Sequence, residues 1–469
     1  MNCYRIIFAV FLALFMAAAA NADELADLRQ QLAEQQQAIS DLQLKLAEIE
    51  DDKNTPVAVK KPADKDFRVY WNDSLRMKSY DGDIELRIGG RFHHDWNWVH
   101  ESDRVKAAIG KQKDGTKFRR ARFYFSGTAY NDMEFMLQID FASGNVTFKN
   151  VYLGLNGLIR PKILIGQFEE PFSLDELSSS NGLSFLERAQ PAAFVPSRNV
   201  GFMLSDVSND QNLTWNFGVF KQTDDTGLAI YDGGANITGR LTWTPRYAEK
   251  GAKLVHLGTA YTHKGLHNDE YRLRQRPETS ISDRFVDTGN IAADNAGHTG
   301  FEAAWVNGPL SLQGEYIKAD VDGSAGQQDL DFSGHYLQAS YWLTGEHRQY
   351  NRSRASFAYV NPKRNFSGKS GGAWELAARY SRLDLNDRNI NGGELTNRSF
   401  NLNWHLNPNA RIMWGYVIAD EKDLAAPTSF RCALSSTSDL YQSFPIRHAR
   451  SRRIQCRYPA AHCFLSFDL

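Results

Sequence analysis

The chain has 469 residues, 54 Lys+Arg against 55 Asp+Glu and a formal charge of −1, so it is not a polycation built to hold nucleic acid. Apolar residues make up 42% and aromatics 12%, which excludes disorder and also excludes a polytopic helical membrane protein with several apolar stretches of about 20 residues. A large soluble protein remains, or a β-barrel whose apolar residues alternate with polar ones.

Residues 1–22 read as a signal peptide. Arg5 supplies the positive start, residues 6–20 are an unbroken apolar run, and Ala20-Asn21-Ala22 gives a small-x-small cleavage site. An uncleaved anchor is the alternative, but no positive stop-transfer flank follows the run. Cys3 precedes that run, which argues against a lipoprotein. The other cysteines, Cys432, Cys456 and Cys463, are odd in number and build no disulfide framework. No CxxC, HExxH or His/Cys cluster of metal spacing occurs, so no metal or cofactor is expected.

Residues 23–50 carry heptads. Leu25, Leu28, Leu32, Gln35, Ile39, Leu42, Leu46 and Ile49 alternate spacings of three and four, the seam of a coiled coil with one polar break. Self-association is the expected role, against a lone amphipathic helix packed on the body. Residues 51–66 are charged, aperiodic and hold two prolines, which marks a linker.

From residue 67 to 469 the period is two. Leu213, Trp215, Phe217 and Val219 alternate with Thr214, Asn216 and Gly218. Phe400, Leu402, Trp404 and Leu406 alternate with Asn401, Asn403 and His405. Leu337, Ala339, Tyr341 and Leu343, and Ile84, Leu86 and Ile88, repeat the pattern. Each set has one apolar face and one polar face. The apolar faces are rich in Trp and Tyr near strand ends, and the polar faces hold Asn, Gln, Thr, Glu and Arg. Lipid outside and water inside would select this pattern, with aromatic girdles at the interfaces. Short turns at residues 130–132 and 407–409 contrast with longer polar connections. At roughly 25 residues per strand and connection, the body holds about 16 strands. A soluble sandwich or propeller is the competing fold, but no repeat of roughly 40 residues is visible. The expected fold is therefore all-β: a transmembrane antiparallel β-barrel of about 16 strands, preceded by a short coiled-coil helix.

Three stretches carry a family resemblance. They are residues 116–127 (TKFRRARFYFSG), residues 165–174 (IGQFEEPFSL) with 185–188 and 196–201 after them, and residues 272–278 (RLRQRPE) leading to 283–289 (DRFVDTG). Together, from about Phe67 to about Asp420, the chain resembles the phosphate-selective porins O and P. The resemblance implies a homotrimer of 16-stranded barrels in the outer membrane of a Gram-negative bacterium. It also implies passage of phosphate or polyphosphate through an arginine- and lysine-lined pore. It makes Arg272, Arg274 and Arg276, spaced by two, similar to the family's arginine ladder, with Arg284 close behind; a solvated outer loop with scattered charge is the alternative.

Further candidates follow. Residues 171–196 mix apolar anchors with charges, as a loop folded into a lumen would; an ordinary outer loop is the alternative, and the pattern together with the resemblance favours the inward fold. Phe172, Asp175, Glu176, Glu187 and Arg188 are its expected constriction residues. Arg120 and Arg122 share a face with Tyr124 and Ser126 and suit phosphate, whose oxygens accept the forked guanidinium donors in pairs. A blander alternative has them balancing carboxylates such as Glu85 and Glu134. Arg119 falls on the opposite, apolar face, so it is expected near a rim or past a bulge. As the family pattern aligns, its loop carries a lysine where this chain has Glu176, which weakens the expected anion preference unless the loop carboxylates pair with Arg188, Arg198 and the 119–122 group.

Alternation largely lapses over residues 431–469, which reads as a divergent last strand or a shifted reading frame. Three functions follow: a passive pore for small anions, phosphate above all; a general or weakly cation-preferring porin; and an outer-membrane structural or adhesive protein worked by its coiled coil. No G-x-S-x-G, metal triad or P-loop supports an enzyme. The expected partners are a second and third copy of the chain, small anions and outer-membrane lipid, without nucleic acid.

Overall fold

The computed structural model describes residues 67–422 except 73, 143, 232 and 233, and the segments 428–433 and 462–468. Before residue 67 it describes Gln37 and Ser40, both helical and exposed. The expected signal peptide, coiled-coil seam and linker, and residues 434–461 of the tail, lie outside the described residues.

β1 (Phe67–Trp71) and β2 (Leu75–Ser79) form a hairpin that pairs with the start of β3 (Ile84–His100). Neighbour by neighbour the sheet continues through β4 (Gly115–Ala129), β5 (Met133–Asp140), β6 (Thr147–Leu155), β7 (Lys162–Glu169) and β8 (Arg198–Val207). β9 (Leu213–Lys221), β10 (Ala235–Ala248) and β11 (Lys253–Gly265) follow. The next connection holds three two-residue strands, β12 (Glu270–Tyr271), β13 (Arg274–Gln275) and β14 (Val286–Asp287). Then come β15 (Ile291–Asn307), β16 (Leu310–Gly323) and β17 (Leu330–Trp342). After a connection bearing β18 (Tyr350–Asn351) and β19 (Ser356–Phe357), the sheet resumes with β20 (Ala373–Asp387), β21 (Ile390–Asn407) and β22 (Ala410–Lys422). Every one of these pairings is antiparallel.

β23 (Thr428–Ala433) and β24 (His462–Asp468) each pair with β22 on one side and β3 on the other. They share one track. Ala433 lies opposite Trp98 and Cys463 opposite Trp96, so Ala433 and His462 take consecutive positions along β3.

The two faces invert the soluble rule. On β10, Leu241 and Trp243 are about half exposed, while Arg240 and Thr242 are 2% and 1% exposed. The same holds for exposed Phe217, Phe301, Leu337 and Phe400 against buried Thr214, Glu302, Gln338 and Asn401. One face is apolar and bare; the other is polar and covered.

Connections explain the cover. At one end they are tight, as at residues 130–132, 308–309 and 408–409. In the three-residue turn 130–132, Tyr130 and Asn131 both take positive φ (54° and 62°), which reverses the chain within a short loop. At the other end residues 170–197 and 266–290 fold over the polar face. One tight-turn position breaks the rule: residues 343–372, between β17 and β20, also fold onto the polar face. Phe172 and Phe194 pack with Leu273, Phe285 and Ile291, while Leu174 packs with Tyr350 and Phe357, so the segments from both ends meet. Among the described residues no helix is long and apolar enough to cross a membrane.

Candidate functional site

The connection between β7 and β8 is seated by the covered face. The two Glu315 oxygens accept from the Leu174 and Asp175 amides, at 3.1 and 2.7 Å, at the start of the short helix Leu174–Leu177. Ser173, which caps that helix, sits at φ 71°, a strain tolerated where neighbours fix the chain. Further along, Ser184 donates to Glu375 (2.7 Å) and Arg411 donates to the Leu183 and Ser180 carbonyls (both 2.8 Å). Phe357 donates its amide to Ser178 Oγ, tying the loop to the segment from the opposite end.

Against this loop lies a cavity of about 530 Å³. Its walls carry ten cations: Arg91, Lys117, Arg119, Arg120 and Arg122 from β3 and β4, Lys149 and Arg198 from β6 and β8, and Arg188, Arg276 and Arg354 from connections. Four carboxylates share the lining: Glu169, Glu176, Glu187 and Glu278.

A bulge concentrates the arginines. His93 pairs with Arg120 but His94 pairs with Phe118, so Arg119 is an extra residue on β4. Without that shift Arg119 would face the apolar side, where a charge costs about 2–4 kcal/mol at mid-membrane depth. A bulge re-aims a side chain at the expense of one ladder position. Three arginines within four residues thereby reach one cavity.

Most of the charges are matched. Arg119 donates from Nε and Nη2 to the two Glu187 oxygens, the second bond at 3.0 Å. Arg122 Nε meets Asp140 at 2.7 Å, and Arg188 Nε meets Glu176 at 2.7 Å. Arg198 holds Glu169, and Arg379 with Ser381 and Ser399 holds Glu278. Others make no ion pair among the described residues. Arg120, 4% exposed, donates to His93 Nδ1 at 3.2 Å and leaves its Nε without a partner. Among the described residues, Lys117 and Arg276 donate to the backbone carbonyls of Ser280 and Ser282 and make no ion pair. The Arg354 guanidinium makes no ion pair among the described residues. Burial alone would raise the Glu187 carboxyl, but Arg119, then Arg120 and Arg188, outweigh it and hold it at about 2. For Glu176 burial wins over Arg188, and its carboxyl lies above the ordinary range.

The sequence candidates separate accordingly. Arg120, Arg122, Arg276, Glu176, Glu187 and Arg188 line the cavity together. Arg272 and Arg274 lie further out and exposed, and Arg272 is held by Asp287 at 2.6 and 2.7 Å. Arg284 stays near Arg274 and Arg276, whose charges, after partial burial, lower its basicity. Phe172 is fully buried, and Asp175 accepts from the Ala189 amide at 3.1 Å, so both brace the loop from behind. Glu85 and Glu134 are balanced by Arg76 and Lys162, not by Arg120 or Arg122. Sequence reasoning missed Arg91, Lys117, Lys149 and Arg354 as lining groups. Arg91 was within reach by counting in twos along β3; Arg354 was not, because it arrives from the tight-turn end. Among the described residues no group of His, Cys, Asp and Glu could hold a metal ion.

The family model for phosphate-selective porins O and P matches residues 86–433. Porin O of Pseudomonas aeruginosa is 26% identical over 405 residues, covering 76% of this chain and 87% of its own. An uncharacterized protein of Caulobacter vibrioides is 26% identical over 376 residues, covering 77% and 73%. Among solved structures, a loop L8 deletion mutant of OmpT, an outer membrane protein of Vibrio cholerae, aligns with TM-score 0.50 at 10% identity, over 82% of this chain and all of that one. That last likeness concerns the fold alone.

Proposed function

The chain belongs to the phosphate-selective porin O and P family, and on that premise we propose that it forms a water-filled outer-membrane channel for small anions, phosphate foremost, with the cavity behind the 170–197 loop as its narrowest stretch. The bare apolar face meets lipid and the polar face meets water. Fifteen long strands from β3 to β22, with β23 and β24 sharing a sixteenth track that pairs back to β3, support a 16-stranded barrel. The tight turns then face the periplasm and the longer connections face out. The family and the heptads at residues 23–50 support a trimer, and residues 1–22 support export by a cleaved signal.

One observation carries the anion reading: ten cations line the cavity against four carboxylates. Conduction needs stations that bind weakly enough to release. Arginines already matched by a carboxylate set the field without trapping an ion, while Lys117, Arg120, Arg276 and Arg354 offer donors. Arg276 is the inner end of the row begun by Arg272 and Arg274, so the row leads from the exposed mouth into the cavity.

A general or weakly cation-preferring pore is the second reading, favoured by the Glu176–Arg188, Glu169–Arg198 and Glu187–Arg119 matches. Chloride current through the purified protein, titrated with phosphate, decides between them. Anion-directed reversal potentials and phosphate block support the first; cation-directed potentials without block support the second.

A further inference from the structure

Resting on the outer-membrane placement above, the geometry points to a second, lipid-facing site: a charged band on β16, β17, β20, β21 and β22 that binds the headgroup of a phosphorylated glycolipid with its divalent cations. The register draws it. Lys318, Ser333, Asp384, Glu394 and Lys422 stand opposite one another in one row. The next row toward the tight-turn end is Tyr316, His335, Arg382, Thr396 and Asp420. Leu337, Tyr380, Arg398 and Ile418 form a third, and beneath it Leu312, Ala339, Ala378, Phe400 and Tyr416 are wholly uncharged. These positions share the register of the bare face, alternating with covered-face residues such as Glu315 and Gln338, although Glu394 and Thr396 are themselves only 8% and 7% exposed, Glu394 lying under Arg382 and Lys422.

The band lies toward the end with the longer connections, directly above the apolar rows. Rows are about 7 Å apart along a strand, and with a tilt near 40° three rows span about 10 Å of depth, the scale of one headgroup layer. It is also local. On β15 the bare-face residues Asn295, Gly297, Thr299, Phe301, Ala303 and Trp305 carry no charge, the exposed Asp294 standing apart at the register shift beyond them, and neither do Ile237, Gly239, Leu241 and Trp243 on β10. A generic rim would charge those strands too.

Its composition selects the partner. Lys318, Arg382, Arg398 and Lys422 alternate with Asp320, Asp331, Asp384, Glu394 and Asp420. Arg382 spans Asp384 (3.3 Å) and Glu394 (2.8 Å), Lys422 also reaches Glu394 (3.0 Å), Arg398 holds Asp420, and Lys318 holds Asp320 and Asp331. Arg398, Lys422 and Asp331 stay more than half exposed. Four cations against five carboxylates suit neither a bare anion nor a bare cation. They suit a surface that itself alternates phosphates and bound divalent cations: arginines fork onto phosphate oxygens, and carboxylates share the cations.

The test uses the full, delipidated chain and native mass spectrometry with magnesium present. Probes are diphosphoryl lipid A, its dephosphorylated form and phosphatidylethanolamine. Diphosphoryl lipid A is expected to bind best. The double variant R382Q/R398Q should weaken it about tenfold, and D384N/E394Q should abolish the loss that EDTA causes in the unaltered protein. Equal binding of dephosphorylated lipid A or phosphatidylethanolamine, or unchanged binding in both variants, overturns the site. Phosphate block of chloride current checks that each variant is folded. Intact block with no lipid preference removes this surface and leaves the channel; lipid preference without block does the reverse.

Discussion

Replacing Glu176 tests the charge balance of the cavity most directly. Its carboxylate meets Arg188 Nε at 2.7 Å, both side chains are mostly buried, and Arg188 is separately held by the Asp175 and Ser178 carbonyls at 3.1 Å. Glu176→Gln therefore deletes one negative charge while the backbone bonds keep the loop in place. A monovalent anion crossing about 8 Å away at an effective dielectric of about 20 feels about 2 kcal/mol from that charge. Screening over a Debye length of about 10 Å leaves about 1 kcal/mol, or about fivefold in affinity. Phosphate should thus block chloride current at about one-fifth of the unaltered concentration, and Glu176→Lys should go further, to about one-twentieth. The measurement is single-channel chloride current against added phosphate in a planar bilayer, with unitary conductance as the control for an intact pore. Normal conductance with an unmoved blocking concentration in both variants would refute the electrostatic account of the cavity.

Acidification should imitate that variant. Because burial raises the Glu176 carboxyl, it gains its proton at higher pH than an ordinary carboxylate, so phosphate block should strengthen as pH falls. Glu187, held at about 2, stays charged throughout and adds nothing to the pH profile; a flat profile in unaltered protein, or an identical one in Glu176→Gln, would contradict this assignment. Gly182→Ala should loosen the loop, since an added Cβ would lie 2.3 Å from the Ala358 carbonyl oxygen, and overpacking of this kind costs about 1–3 kcal/mol. A lowered melting temperature and noisier current are expected, and neither change would mean that the two segments do not press on each other there. Deleting residues 434–461 joins Ala433 to His462 in unbroken register along β3; heat-resistant folded protein should be retained, whereas failure to fold would show that the track is not continuous.

Alternation made the sheet legible because each strand repeats the same decision between lipid and water. Phe400, Leu402 and Trp404 stand on the bare face with Asn401 and Asn403 buried behind them. The bulge at Arg119 was legible only as a conflict: a charge fell on the wrong face, and the cost of leaving it there implied an irregularity. Its partner Glu187 lies 68 residues further on, and the shift depends on β3, where His93 stands 27 residues before its partner Arg120, which no local pattern encodes. The inward fold of residues 343–372 was missed for a similar reason. Its polar, charged stretch resembles an exposed loop, and Arg240 donating to the Ala355 carbonyl (2.8 Å) or Tyr350 meeting His256 (2.7 Å) are contacts between distant parts of the chain. Its length, set against connections of two to six residues at the same end, was the available signal.

The seats of the 170–197 loop also impose an order in time. Leu174 is separated from Glu315 by 141 residues, Ser184 from Glu375 by 191, and Ser180 from Arg411 by 231. Non-local contacts of this kind form late, after the intervening chain has closed. The 170–197 loop should therefore be the last part of the molecule to mature: on the channel reading proposed above, a nascent tube would first be wide and leaky, and selectivity would arrive only when the final strands dock.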